Sequence, residues 1–138
     1  MNHITILLAE DHKIVREGLR DLLKLEADFE VVGEAEDGRQ AVACASKLHP
    51  DVIVMDIAMP FLNGLEATRQ ILKSEPNSRI LVLSSHGDDA YIDQAKAYGG
   101  SGFLVKQTDI HLLPQAIRDV HANLSFVCPS RPAPIAQP

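Results

Sequence analysis

The stretch Val52-Ile53-Val54-Met55-Asp56-Ile57-Ala58-Met59-Pro60 decides how this 138-residue chain is read. Its first four residues are apolar without a polar interruption, so a strand made of them must be covered on both faces. The run then ends on a carboxylate, Asp56. Four other short apolar runs, rich in Ile, Val and Leu, punctuate the sequence: Ile4–Ala9 and Ile80–Leu83, apolar throughout or nearly so, and Phe29–Gly33 and Gly102–Val105. Between them the apolar spacing becomes helical. Ile14, Val15, Leu19, Leu22 and Leu23 place one stripe on residues 12–26, with Arg16, Arg20 and Lys24 on another face. Residues 37–48 carry Ala41, Val42, Ala45 and Leu48 before Pro50 stops the helix. Residues 64–74 carry Leu65, Thr68, Ile71 and Leu72, and residues 88–98 begin with Asp88-Asp89, which suits a helix N-terminus. Residues 109–124 carry Leu112, Leu113, Ala116, Ile117, Val120 and Leu124; Pro114 among them means that this helix starts near Leu113 or has a kinked first turn.

Strand and helix thus alternate five times. Right-handed crossovers that each bury a helix face give a doubly wound parallel sheet. Pro129 to Pro138 holds four prolines with Ser, Ala and Gln, and reads as an extended linker or tail. Thirteen Lys and Arg against nineteen Asp and Glu give a net charge of −6, which repels phosphate backbones, so this segment is not expected to grip nucleic acid by itself. Cys44 and Cys128 have neither metal spacing nor a disulfide framework, and Cys44 in its alanine-rich stretch reads as a buried reduced thiol. No signal-peptide pattern and no run of about 20 apolar residues is present, so a soluble cytoplasmic protein without membrane contact is expected.

In open parallel sheets, ligands bind beyond the carboxyl ends of the strands. After the first run come Glu10 and Asp11, after the third Asp56, after the fourth Ser84 and Ser85, and after the fifth Lys106. Three carboxylates, a hydroxyl and an ammonium then converge on one edge. Three such acids cannot all ionise without a cation or a strongly raised pKa. Mg²⁺ relieves this with one or two carboxylates, waters and a substrate phosphate. Asp56 is then placed to act as a nucleophile that forms an aspartyl-phosphate, with Lys106 pairing with the phosphoryl group and Ser84 donating to one of its oxygens.

These residues resemble the response-regulator receiver domain of two-component signalling. The likeness rests on Glu10-Asp11, on Val54-Met55-Asp56-Ile57-Ala58-Met59-Pro60 followed by Gly64, on Leu83-Ser84-Ser85-His86, and on Gly102-Phe103-Leu104-Val105-Lys106, and it covers residues 3–125. It implies five parallel strands in the order 2-1-3-4-5 flanked by five helices, the CheY/flavodoxin-like arrangement. It further implies that Asp56 is the phosphoacceptor, served by a sensor histidine kinase or a small phosphodonor. Mg²⁺ (or Mn²⁺) would be held by Glu10, Asp11, Asp56 and the backbone carbonyl of Ala58. Lys106 and Ser84 would stabilise the phosphoryl group, and Ser84 and Phe103 would form the switch, shifting populations on the fourth helix and fifth strand.

Three positions depart from the commoner pattern: Glu10 in place of Asp, Ser84 in place of Thr, and Gln107 rather than proline after Lys106. None removes a required functional group. Glu10-Asp11-His12, Val15-Arg16-Glu17-Gly18-Leu19, Val31-Val32-Gly33-Glu34-Ala35 and Leu112-Leu113-Pro114-Gln115-Ala116-Ile117 are similar to the NarL/FixJ branch. That branch usually carries a LuxR-type helix-turn-helix domain after a linker and often pairs through its first and fifth helices. The expected organisation is therefore a receiver at 1–125 and a linker at 126–138 leading to a DNA-binding domain outside this chain. A single-domain regulator or phosphorelay intermediate is the alternative, and a monomer stands beside the homodimer.

His86, two residues past Ser84, is expected to tune access of water to the acyl phosphate, and an unchanged dephosphorylation half-life in His86→Ala would end that idea. The six histidines show no i, i+3 or i, i+4 pair, which argues against a dedicated zinc site; His12 is read as the start of the first helix. A flavodoxin-like flavin carrier needs a neutral phosphate loop where Glu10-Asp11 stands. An aspartate-dependent phosphatase needs an acid where Ala58 stands. A pseudo-receiver is disfavoured because every expected ligand is present.

Overall fold

In a computed structural model, which describes residues 3–85, 89–124 and 126–127, the five apolar runs are strands: β1 (Ile4–Ala9), β2 (Phe29–Ala35), β3 (Val52–Asp56), β4 (Arg79–Ser84) and β5 (Gly102–Val105). All pair in parallel, in the order β2-β1-β3-β4-β5. A sixth strand that the sequence pattern does not announce, β6 (Phe126–Val127), pairs with Gly102 and Phe103 at the outer edge of β5. Two residues are too short to carry a hydropathy period, and they fall where a linker is expected to begin.

The helices are α1 (Lys13–Lys24), α2 (Gly38–Leu48), α3 (Gly64–Ser74) and α4 (Asp89–Ala97). The fifth helical segment is broken. Lys106–Asp109 forms one turn, α5, and Ile110–Leu112 a 3₁₀ turn, before α6 (Leu113–His121) begins with Pro114 in its first turn. Proline is tolerated there because the first helical N–H groups have no partner inside the helix. Asp37 caps α2 by accepting from the Gln40 N–H at 2.8 Å, and Asn63 caps α3 by accepting from the Glu66 N–H at 2.9 Å.

The alternation of side chains in β1 shows why its sequence is apolar at every position but Thr5. Ile6 and Leu8 face a core with Leu19 and Leu23 of α1 and Leu113, Ala116, Ile117 and Val120 of α6. Leu7 and Ala9 face the opposite core with Ala41 and Ala45 of α2, Leu65, Ala67 and Ile71 of α3, and Ala95 of α4. Two helices cover one face of the sheet and three the other.

Two expectations for α1 need correction. Ile14, assigned to its apolar stripe, is 83% exposed, because at about 100° per residue it falls on the side of the helix opposite Leu23; Val15, at the margin of the stripe, is 40% exposed. Arg16, assigned to the polar face, is only 8% exposed. Leu124 also lies in the open, beyond the end of α6. Cys44 is a half-buried free thiol packed against the core of α2 and α3. Among the described residues no helix is long and apolar enough to cross a membrane.

Candidate functional site: an acidic pocket at the carboxyl edge of the sheet

Each strand delivers one part of the site as it ends. Glu10 and Asp11 follow β1, Asp56 is the last residue of β3, Ser84 the last of β4, and Lys106 follows β5 directly. Asp56 stands opposite Leu83 in the β3–β4 register, so Ser84 lies one step farther along the same edge. The loop after Asp56 is folded back by a hydrogen bond from the Gly64 N–H to the Ile57 carbonyl at 2.8 Å. Gly64 is required for that turn: a Cβ there would lie 2.1 Å from the Asp56 backbone oxygen.

The structure brings Glu10, Asp11, Asp56 and Lys106 together. Glu10 is fully buried. Its Oε1 accepts from Lys106 Nζ at 2.8 Å, and its Oε2 accepts from the His12 backbone N–H at 3.1 Å and contacts His12 Nδ1 at 3.0 Å. Lys106 Nζ also lies 3.4 Å from Asp56 Oδ1. Asp56 is 1% exposed, and neither of its carboxylate oxygens has a hydrogen-bond partner; Asp11 Oδ1 is likewise buried without one.

These environments separate the two buried acids. Burial pushes the Asp56 carboxyl up, the Glu10 charge adds to that, and Lys106 opposes both; the result is a pKa of about 6. Burial acts on Glu10 in the same direction. There the bond from Lys106 and the two His12 donors outweigh it, so Glu10 is held below the usual carboxylate range. Glu10 is the acid already neutralised, and Asp56 the one left wanting a cation.

A divalent cation fits this donor set. Three buried carboxylate oxygens without hydrogen bonds cost free energy that a hard cation recovers. One oxygen or nitrogen from each of Glu10, Asp11, His12 and Asp56 lies within 4.8 Å of all the others.

The remaining anticipated residues take different places. Ser84 is buried at the pocket edge, while Ala58 is exposed in the loop after Asp56. Phe103 is buried in the core shared by α2, α3 and α4, with Lys96 Nζ 5.8 Å from its ring centre. Lys106 leads straight into a helical turn with Gln107. His86 lies outside the described residues.

One supporting residue was missed. Arg16 Nη1 donates to the Glu10 backbone carbonyl at 2.9 Å, and its Nε donates to Glu34 Oε1 at 3.0 Å. It thereby fastens the turn carrying Glu10 and Asp11 to the end of β2. The signal lay in the sequence as an acid near the end of β2, Glu34, with Arg16 and Arg20 one helical turn apart to meet it.

Comparison with known proteins agrees with this geometry. The family model of the response regulator receiver domain matches residues 6–118. Among curated relatives, the transcriptional regulatory protein DegU of Brevibacillus brevis is 41% identical over 128 residues, which are 93% of this chain and 54% of that protein. The response regulator GacA of Pseudomonas aeruginosa is 34% identical over 91% of this chain and 59% of its own length. The chain thus spans little more than half the length of such relatives. A LuxR-family two-component response regulator from an Aurantimonas species superposes with a TM-score of 0.90 at 36% identity, covering 94% of this chain and 92% of that one. The receiver domain of the NarL regulator from Mycobacterium tuberculosis gives 0.84 at 30% identity, over 88% and 98%. On the match of family model, relatives and fold together, the chain belongs to the response regulator receiver domain family, in its NarL/FixJ branch.

Proposed function

We propose that Asp56 is the phosphoacceptor of this receiver. The observation that carries the reading is its pair of buried oxygens without hydrogen bonds, at the carboxyl edge of the sheet, with one cation, Lys106 Nζ, 3.4 Å away. A carboxylate left this way is unsolvated and faces the edge from which a phosphodonor approaches. An Asp56 oxygen attacks the phosphorus of a kinase phosphohistidine or of a small acyl phosphate. The new O–P bond forms as the P–N or P–O bond to the donor breaks, and the imidazole or carboxylate leaves with its electron pair.

Mg²⁺, when bound by Asp11 and Asp56 with Glu10 and the Ala58 carbonyl beside them, supplies positive charge that offsets the charge on the phosphoryl oxygens. Lys106 gives up part of its hold on Glu10 to pair with the phosphoryl group. Ser84, at the end of the neighbouring strand, donates to another phosphoryl oxygen, and Phe103 follows it by changing rotamer. The added charge of roughly −1.5 to −2 thereby biases the surface of α4 and β5.

The partners that suit this chemistry are a sensor histidine kinase and, through α1 and the fifth helical segment, a second copy of the chain. We infer a linker over 126–138 and DNA binding by a helix-turn-helix domain beyond it, with transcription as the output and the cytoplasm as the compartment.

Incubation with acetyl phosphate and Mg²⁺ tests the central assignment. Intact-protein mass spectrometry should show one added phosphoryl group in the wild type and none in Asp56→Asn. Phosphate retained by the variant would show that another residue is the acceptor.

A further inference from the structure

The acidic pocket holds one donor that the phosphoacceptor chemistry above does not use. His12 stands at the N-cap of α1 with extended backbone, φ −82° and ψ 112°, yet its side chain makes no capping bond to the helix. The ring is turned toward the acids instead. Nδ1 lies 3.0 Å from Glu10 Oε2 and 3.2 Å from Asp11 Oδ1, in the cluster that includes an Asp56 oxygen. The ring is also free to adjust, since the side chain is 66% exposed.

The four donors are not equally open. Both Glu10 oxygens are engaged, one by Lys106 and the other by the His12 backbone. Asp11 Oδ1 and both Asp56 oxygens are buried without a hydrogen bond, and Asp56 is almost wholly enclosed. What remains for a cation is two carboxylates and, at the rim, one imidazole nitrogen. Mg²⁺ takes oxygen ligands and keeps its waters, so a nitrogen at the rim adds little to its binding. Imidazole suits the later first-row divalent ions, whose affinity for mixed nitrogen and oxygen sites rises along the series toward copper.

We propose that His12 Nδ1 is an additional ligand of this pocket, which makes the receiver bind Co²⁺, Ni²⁺ or Zn²⁺ through Asp11, Asp56 and His12 in competition with Mg²⁺. The inference rests on the reading of the pocket as a cation site. It goes beyond that reading in giving the pocket a selectivity between hard and borderline ions. His12 binds through the Nδ1 lone pair, with its proton on Nε2, and the cation takes the place between ring and carboxylates that a proton fills otherwise.

The test is calorimetric titration of the full 138-residue chain with MgCl₂ and separately with CoCl₂, on the wild type, His12→Phe, His12→Gln and Asp11→Asn. Both His12 variants should weaken Co²⁺ binding by about tenfold or more, the scale on which single groups act at metal sites. Mg²⁺ binding should change by less than about twofold, as expected where the ion uses only oxygen. The visible absorption of the Co²⁺ complex should also change in position and intensity with His12→Gln, which retains a donor toward Glu10 but no imidazole. Equal weakening of Mg²⁺ and Co²⁺ would overturn the proposal, because His12 would then act only by orienting Glu10. Unchanged Co²⁺ binding in both His12 variants would overturn it too, and would place that ion elsewhere on the chain. Failure of the underlying cation site has a separate signature: no Mg²⁺ binding by the wild type, or Mg²⁺ binding undiminished in Asp11→Asn.

Discussion

Replacing Asp56 by Asn should make the metal-free protein more stable at neutral pH. The carboxyl titrates near 6 in the fold instead of 3.8, chiefly because it is buried and then because Glu10 is beside it. Below pH 3.8 it is protonated in both folded and unfolded chains, and its stabilising effect relative to the ionised form is fully present. Between 3.8 and 6 the unfolded chain releases its proton while the folded one keeps it, so stability falls as pH rises. Above 6 the penalty is complete. Moving the titration from 3.8 to about 6 amounts to about 3 kcal/mol. Asn mimics the neutral acid and carries no such penalty. For a domain of this size each kcal/mol moves the melting temperature by about 3–5 °C, so the variant should melt roughly 10 °C above the wild type at pH 8. The gap should close toward pH 4. Thermal unfolding followed by circular dichroism in EDTA, from pH 4 to pH 8, measures it. A wild type at least as stable as the variant at pH 8, or a gap independent of pH, would refute the account of Asp56 as a buried, undercompensated charge.

Mg²⁺ at ten times its dissociation constant should raise the wild-type stability by about 1.4 kcal/mol, read as a shift in melting temperature, and the shift should vanish in Asp11→Asn. Gly64→Ala forces a Cβ against the Asp56 carbonyl, so it should cost about 2 kcal/mol or more in urea unfolding and slow labelling of Asp56 by acetyl phosphate. Arg16→Met leaves Glu34 without its buried partner and the Glu10 carbonyl without its donor. It should cost about 3 kcal/mol in the same assay and also weaken Mg²⁺ binding, whereas Arg20→Met, on the exposed side of the same pair, should cost under about 1 kcal/mol.

The parts of the fold legible in the sequence are those that a single period controls. Ile4–Ala9 and Gly102–Val105 begin and end where the hydropathy does, because strands buried on both faces admit few polar residues before the edge; Thr5 is tolerated because its hydroxyl donates to Asp51. The acids and the lysine were legible for the same reason: Glu10, Asp56 and Lys106 are each the first polar residue after such a run, and Asp11 follows Glu10. What a period cannot express was lost. Arg16 lies three and seven residues before Leu19 and Leu23 and so shares their buried face, but spacing does not name the partner that a charge needs there, the Glu10 carbonyl. Ile14 falls on the opposite side of the helix by the same spacing, which accounts for its exposure. The break at Ile110–Leu112 is not in the helical spacing but is announced by Pro114, which is tolerated only in a first turn, so that α6 starts at Leu113.

The substitution of Glu for Asp at position 10 changes how the pocket divides its work. The extra methylene lets the carboxylate reach Lys106 Nζ at 2.8 Å, closer than the 3.4 Å from that ammonium to Asp56. Glu10 therefore holds most of the lysine's charge in the absence of a phosphoryl group, and it is Glu10 whose pKa falls while that of Asp56 rises. A lysine shared this unevenly leaves Asp56 poorly compensated, which on the proposed reading of Asp56 as phosphoacceptor would favour its attack on a phosphodonor. Once a phosphoryl group is present, its larger negative charge competes for Lys106 against a single carboxylate. On that proposed reading, the same side chain that withholds compensation from Asp56 beforehand would then yield it, and Glu10 would set the electrostatic difference between the two states.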